Sequence, residues 1–116
     1  MNNDTGALQA RLREFAQARD WDQFHSPKNL AAALSVEAGE LLEHFQWLTE
    51  EQSRTLSPEK LGQVAEELAD VLLYTLQLAD KLGIEPLDAA WRKLEINKEK
   101  YPVERARGRS TKYTEL

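Results

Sequence analysis

The sequence contains no cysteine, and this absence excludes disulfide bonds, a thiolate zinc site and a thiol nucleophile. A chain without cysteine is also typical of a reducing compartment, so we expect a cytoplasmic protein. No stretch approaches the roughly 18 apolar residues that are needed to cross a bilayer, and the opening MNNDTGALQARLREF has no basic segment followed by an apolar core. We therefore expect a soluble, unexported protein that makes no membrane contact.

The chain also lacks an excess of basic residues: 15 lysines and arginines stand against 20 acidic residues, for a net charge of −5. Binding to nucleic acid or to anionic lipid requires a basic surface, so neither partner is expected. The charge is unevenly distributed, because acidic residues are frequent between positions 37 and 70 whereas the last quarter of the chain is basic. This distribution favours a metal ion together with a small polyanion.

Alternating polar and apolar residues are missing, as are the Asn-Gly and Asp-Gly pairs of tight hairpins, so the predicted fold class is all-α. With 116 residues, of which 41% are hydrophobic, the chain is expected to form one core and a single domain over residues 1–116. The spacing of apolar residues predicts four helices, from Thr5 to Arg19, from Pro27 to about Trp47, from Pro58 to Leu82, and from Pro86 to just before Tyr101.

Two of these helices are expected to begin at the same signal, a serine followed by a proline. In Ser26-Pro27 and Ser57-Pro58 the hydroxyl group can cap the helix, and proline loses no hydrogen bond at the first helical position. The third helix should end at Gly83. Residues 103–116 have no periodic apolar face and are predicted to form a basic, extended tail.

Two carboxylates occupy the apolar side of the second predicted helix. On a wheel of about 100° per residue, Glu37 lies at the centre of the apolar stripe and Glu40 lies about 60° to one side. Glu67 and Asp70 repeat this arrangement on the third helix. Helices joined by a short polar loop normally pack along their apolar faces, which would bring both pairs together. Unpaired buried carboxylates are costly, so a positive partner is expected between them.

Divalent cations are the partner that this ligand set favours. Oxygen ligands without cysteine or a well-placed histidine suit Mg²⁺ or Mn²⁺ better than zinc. Taken singly, acidic residues three apart on a helix are usually solvated, but two pairs centred on adjacent apolar stripes are not explained in that way. A di-iron site is the nearest alternative and needs Glu-x-x-His on two helices. Because His44 follows Glu40 by four residues, we interpret it as a packing or hydrogen-bonding residue.

The pattern Glu-x-x-Glu at 37–40, followed on the next helix by Glu-x-x-Asp at 67–70, resembles the MazG-like nucleoside triphosphate pyrophosphohydrolases. The resemblance covers nearly the whole chain and points to the dCTP pyrophosphatase branch, through the segments RDWDQFHSPKNLAAALSVEAGELLEHFQW, EELADVLLYTLQLA, KLEINKEKYP and KYTEL. It implies a four-helix bundle core that assembles as a homotetramer. It also implies that Mg²⁺, or Mn²⁺ in its place, is held by four catalytic carboxylates, Glu37, Glu40, Glu67 and Asp70.

The resemblance further implies a reaction and a substrate class. The family hydrolyses the bond between the α- and β-phosphates of a nucleotide, which gives a monophosphate and pyrophosphate. The substrate would be dCTP or a modified pyrimidine deoxynucleotide, and its removal would clean the nucleotide pool. Metal-assisted attack of water on phosphorus is chemistry that four carboxylates can support, so this expectation agrees with the residue pattern.

The fourth predicted helix carries candidate phosphate and sugar contacts. Lys93 and Asn97 lie on one face, and Tyr101 lies just past the helix end. Taken alone, such a trio is usually a solvated surface. The resemblance assigns these three residues to substrate binding.

Aromatic residues flank the second predicted helix, with Trp21 before it and Trp47 near its end. Without the resemblance each is most simply a packing residue. With it, the two rings are expected to sandwich the cytosine base, with His25 and Tyr74 lining the same pocket.

Two other functions remain open from the sequence alone. One is a non-catalytic helical scaffold, in which the acidic pairs form salt bridges with the Arg-rich tail of another subunit. The other is a related all-α hydrolase that prefers dUTP or accepts deoxynucleotides broadly. Base preference is the open point, because small changes in pocket shape alter selectivity by only about 1–3 kcal/mol.

Overall fold

The computed structural model describes residues 4–116, so residues 1–3 of the predicted domain and polar lead lie outside the described part. Within that part the regular structure is entirely helical, which confirms the predicted all-α class. The helices are α1 (Thr5–Ala18), α2 (Pro27–Glu43), α3 (Glu50–Ser53), α4 (Pro58–Leu82), α5 (Pro86–Lys100) and α6 (Val103–Ala106). Short 3-10 turns occupy Asp22–Phe24 and Tyr113–Glu115. None of the helices in residues 4–116 has both the length and the apolar character needed to span a bilayer.

The serine–proline signals begin two helices as predicted. The Ser26 hydroxyl accepts a hydrogen bond from the backbone N–H of Asn29, and the Ser57 hydroxyl accepts one from Lys60, each at 3.1 Å. Each serine therefore satisfies a backbone donor that has no partner inside its helix. At the other end of α4, Gly83 adopts a left-handed conformation with φ of 66°, which glycine reaches without steric cost.

The second helix is shorter than predicted. It ends at Glu43 instead of continuing to about Trp47. The N–H groups of His44 and Phe45 donate to carbonyl groups three residues back, those of Leu41 and Leu42, at 3.2 and 2.9 Å. This closer pairing tightens the chain into turns and ends the α-helix before the last apolar residues of the pattern.

Two short helices lie outside the four helices that the sequence pattern predicts. The first, α3, is fixed by a capping box in which Thr49 and Gln52 each bind the other's backbone N–H. The second, α6, lies within residues 103–116, together with the final 3-10 turn. The segment predicted as an extended tail, residues 103–116, therefore contains helical turns near both of its ends. An apolar periodicity cannot detect these elements, because each spans about one turn.

The chain divides into two compact units, of which the first ends at Gly83. In this unit α2 packs along α4, and α1 packs on α4. The buried apolar residues are Ala16, Leu30, Val64, Leu76 and Ala79, and they come from all three long helices. Packing of α2 against α4 positions the acidic residues of the two helices.

The second unit runs from Ile84 to Leu116 and contains α5 and α6. Its last turn is joined to the end of α5 by aromatic contacts. The rings of Tyr101 and Tyr113 meet edge to face at 5.9 Å, and the Lys100 Nζ atom lies 4.6 Å from the centre of the Tyr113 ring. These contacts hold the KYTEL segment in a defined position within its unit.

Candidate metal centre and adjoining pocket

Three carboxylates from two helices converge in the first unit. Glu37 comes from α2, and Glu67 and Asp70 come from α4. One oxygen atom of each lies within 4.8 Å of the corresponding atoms of the others, and all three side chains are half-buried. The helical period explains this convergence, because all three residues lie on or beside the faces along which α2 and α4 pack.

Two oxygen atoms in this cluster are buried and unpaired. Oε2 of Glu37 and Oε2 of Glu67 are closed off from solvent, and neither accepts a hydrogen bond. A buried carboxylate oxygen without a donor is costly, and native structures contain few such atoms. A cation bound between the carboxylates would remove this cost, so the residues present fit a metal centre.

The electrostatics of Glu37 show the same crowding. Burial and, after it, the adjacent carboxyl groups of Glu67 and Glu40 together raise the pKa of Glu37 from 4.5 to about 7. The negative charges of Glu40 and Asp70 also favour the protonated form. Glu40 therefore lies beside Glu37, although it is not one of the three residues whose oxygen atoms converge within 4.8 Å. The arrangement is one that holds protons when no cation is bound.

A cavity of about 630 Å³ adjoins the carboxylate cluster in the first unit. Its walls are α1, the segment after α1, and α4. Three of the predicted base-contacting residues line it, namely Trp21, His25 and Tyr74. Asp70 belongs both to this wall and to the carboxylate cluster. The pocket and the candidate metal centre are therefore continuous through one side chain.

Several pocket residues were not predicted from the sequence. The Phe15 ring meets Trp21 edge to face, with the ring centres 5.7 Å apart. The Arg19 guanidinium lies 3.7 Å from the centre of the Phe15 ring and donates to the Phe15 carbonyl oxygen at 3.1 Å. Arg11 and Gln77 also line the cavity. The four-residue spacing of Arg11, Phe15 and Arg19 was the available signal, because it places them on one face of α1.

Other predicted contacts are not among the lining residues of this cavity. Trp47 is 86% exposed in the turns after α2. Lys93 and Asn97 lie on α5, and Tyr101 follows it, so all three belong to the second unit. Lys93 is exposed and Asn97 is half-buried. The role of these four residues in substrate binding stays a prediction.

Comparison with known proteins identifies one family and several similar proteins. The MazG-like family model matches residues 32–116. Over 105 residues the chain is 46% identical to dCTP pyrophosphatase 1 of Homo sapiens and 43% identical to that of Bos taurus. These matches cover 89% of this chain and 62% of each relative, so the chain spans less than two thirds of their length.

A solved structure is similar over a larger share of its own length. The crystal structure of a pyrophosphatase from Archaeoglobus fulgidus superposes with a TM-score of 0.81 at 43% sequence identity. The match covers 88% of this chain and 95% of that one. Together with the carboxylate cluster formed by α2 and α4, these similarities show that the chain belongs to the MazG-like family.

Proposed function

We propose that this chain is a Mg²⁺-dependent pyrophosphohydrolase that converts dCTP, or a modified pyrimidine deoxynucleotide, to the monophosphate and pyrophosphate. The observation that carries the proposal is the position of Asp70, which joins a cluster of carboxylates with two unpaired buried oxygens to a cavity lined by aromatic rings. The carboxylate cluster can hold the cations that bind a triphosphate, and the aromatic cavity can hold a base. The names of the relatives, dCTP pyrophosphatase 1 and a pyrophosphatase, support the same reaction.

The carboxylates would hold Mg²⁺ or, in its place, Mn²⁺. Glu37, Glu67 and Asp70 converge, and Glu40 lies beside Glu37 as the fourth candidate ligand. Oxygen-only donors match the preference of these hard cations. When bound, such an ion neutralises phosphate charge and lowers the pKa of water.

The remaining steps belong to the side chains. A carboxylate of the cluster accepts the proton of the attacking water. Water forms a bond to the α-phosphorus, the bond from that phosphorus to the bridging oxygen breaks, and pyrophosphate leaves with the oxygen. Trp21 stacks on the base, while His25 and Tyr74 line its pocket.

The proposal extends to contacts beyond the cavity. Lys93, Asn97 and Tyr101 are proposed to contact phosphate and sugar, and Trp47 to provide a second aromatic face. A homotetramer with a four-helix bundle core is proposed as the assembly. Its support is the number of large apolar side chains that the single chain leaves exposed, among them Leu42, Leu72 and Trp91.

Product analysis tests the reaction directly. Incubation of the purified protein with dCTP and Mg²⁺ should yield dCMP and pyrophosphate in equal amounts, as measured by anion-exchange chromatography. Formation of dCDP and orthophosphate would contradict the assignment of the cleaved bond. Competition among the four deoxynucleoside triphosphates and dUTP, followed by kcat/KM for each, would rank base preference.

Removal of the Trp21 ring should weaken nucleotide binding. Stacking of a base on an aromatic ring contributes about 1–3 kcal/mol, so Trp21→Ala should raise the KM for dCTP by about 5- to 150-fold. Trp21→Phe is the matched variant, because it keeps an aromatic face and should retain most of the affinity. Equal KM values for the wild type and Trp21→Ala would remove Trp21 from the site.

A further inference from the structure

The first helix contributes few fully buried residues to its unit. Of the 14 residues of α1, only Gln9 and Ala16 are buried. Its larger apolar side chains, Leu8, Leu12 and Phe15, line the 630 Å³ cavity, and Phe15 is 47% exposed. Leu8 and Leu12 are half-buried and contribute apolar packing, and polar contacts add to it in holding this helix against α4.

These polar contacts are made with the last two turns of α4. Gln9 Nε2 donates to the Leu76 carbonyl oxygen at 2.9 Å in a buried hydrogen bond. Arg13 Nη1 donates to both carboxylate oxygens of Asp80, at 2.8 and 2.9 Å. Together these two contacts join positions one turn apart on α1 to positions one turn apart on α4.

A third contact ties down the segment that follows α1. Lys81 of α4 forms an ion pair with Asp22, and this pair lowers the pKa of Asp22 through a hydrogen bond and the charge of Lys81. We call the three contacts, Gln9–Leu76, Arg13–Asp80 and Asp22–Lys81, the polar latch. Between them lies a second cavity of about 210 Å³, lined by Gln9, Arg13, Asp22, Asp80 and Lys81. The interface between α1 and α4 therefore contains a cavity and is not close-packed at this point.

The position of α1 determines the width of the larger cavity. Leu8, Leu12 and Phe15 form one wall, and Asp70 and Tyr74 of α4 form the facing wall. A base held between these walls covers the apolar side chains of α1 only while α1 is docked. Docking of α1 and binding of nucleotide must then favour each other.

We propose that the polar latch positions α1 as one wall of the nucleotide pocket, and that nucleotide binding is thermodynamically coupled to docking of this helix. The inference rests on the proposed function for the identity of the ligand. Arg13 and Asp80 are positioning residues in this scheme. The candidate metal ligands lie on α2 and α4, so weakening of the latch leaves metal affinity unchanged. A weaker latch reduces the fraction of molecules in which α1 is docked, and the apparent nucleotide affinity falls by the same factor.

The test combines removal and reversal of one ion pair. Arg13→Ala and Asp80→Ala should each raise the dissociation constant for dCMP and the KM for dCTP by about two- to fivefold, with kcat unchanged from the wild type. The double reversal, Arg13→Asp with Asp80→Arg, should restore most of the affinity. Arg54→Ala is the matched control, because Arg54 also pairs with a carboxylate, that of Glu50 at 3.8 Å, outside both cavities.

Two further measurements separate positioning from general loss of structure. Mn²⁺ affinity, measured by electron paramagnetic resonance, should be the same in the wild type and the latch variants. Backbone amides of α1 should gain protection from hydrogen exchange when dCMP binds to the wild type. Unchanged nucleotide affinity in Arg13→Ala and Asp80→Ala, or an equal loss in Arg54→Ala, would overturn the inference. If the affinity for dCMP depends on the latch but the protein fails to cleave dCTP, only the proposed reaction is overturned.

Discussion

Replacement of Glu67 by glutamine should reduce hydrolysis of dCTP by at least about 10³-fold and leave the protein folded. The change removes one negative charge from the cluster with almost no change in side-chain shape. Loss of a carboxylate ligand weakens the clamp on the phosphates, and a clamp of this kind supplies several kcal/mol of transition-state stabilisation. Without metal the variant should be at least as stable as the wild type, because Glu67 crowds Glu37. Initial rates and thermal unfolding in a chelating buffer would measure both effects.

The adjacent residue provides the control for this substitution. Glu66 lies on the same helix, is exposed and is not a member of the converging cluster. Glu66→Gln makes the same chemical change and should leave kcat/KM within about twofold, as is usual for surface substitutions. Retained activity in Glu67→Gln would show that the cluster is not the catalytic metal centre.

Divalent cations should raise the melting temperature far more at pH 8 than at pH 6. The pKa of Glu37 in the folded protein is raised from 4.5 to about 7, mainly by burial and then by its acidic neighbours. Without metal, the folded state therefore binds this proton more tightly than the unfolded state does. The resulting contribution to stability is fully present below pH 4.5 and is lost as the pH rises through 7. A bound cation reverses this loss, because it stabilises the ionised carboxylates.

Metal affinity should follow the same titration. Below pH 7 a cation must displace the Glu37 proton, so affinity should fall by up to about tenfold per pH unit. Titration with Mn²⁺ between pH 5.5 and 8.5 would measure the slope. Glu37→Gln has no carboxyl proton at this position, so its residual affinity should depend less steeply on pH. Equal thermal shifts at pH 6 and pH 8 would contradict the assignment of Glu37 as a ligand.

The helix boundaries show what local sequence can and cannot predict. The starts at Pro27 and Pro58 and the end at Gly83 follow from side-chain caps and a left-handed glycine, which act within one turn. The end of α2 at Glu43 depends on a switch to closer backbone pairing, and the apolar residues beyond it continue the periodic pattern. Periodicity therefore predicts a longer helix than the backbone forms. The single domain stays a prediction, because the chain divides into two compact units.

Some residues of the candidate site can also be predicted from local sequence, whereas others cannot. Helical periodicity places Glu37, Glu67 and Asp70 beside the packing faces of their helices, and the structure brings their oxygen atoms together. The spacing of Phe15 and Arg19 indicates a shared face of α1, but the position of that face at the cavity depends on how α1 docks on α4. The polar latch that fixes this docking joins residues 59 to 67 positions apart in the chain. Local patterns carry no information about pairs at such separations.

The shared position of Asp70 has a consequence for the order in which ligands enter. While the cluster is empty of cations, the carboxylates at the Asp70 side of the cavity are negative and repel the polyphosphate tail of a nucleotide. Loading with a divalent ion offsets most of that charge and provides a cation that phosphate oxygens can contact directly. Each ligand then tightens the hold on the other by the same factor. A nucleotide without a cation would therefore bind the metal-free protein weakly. The rate of turnover would then depend on the concentration of available cation.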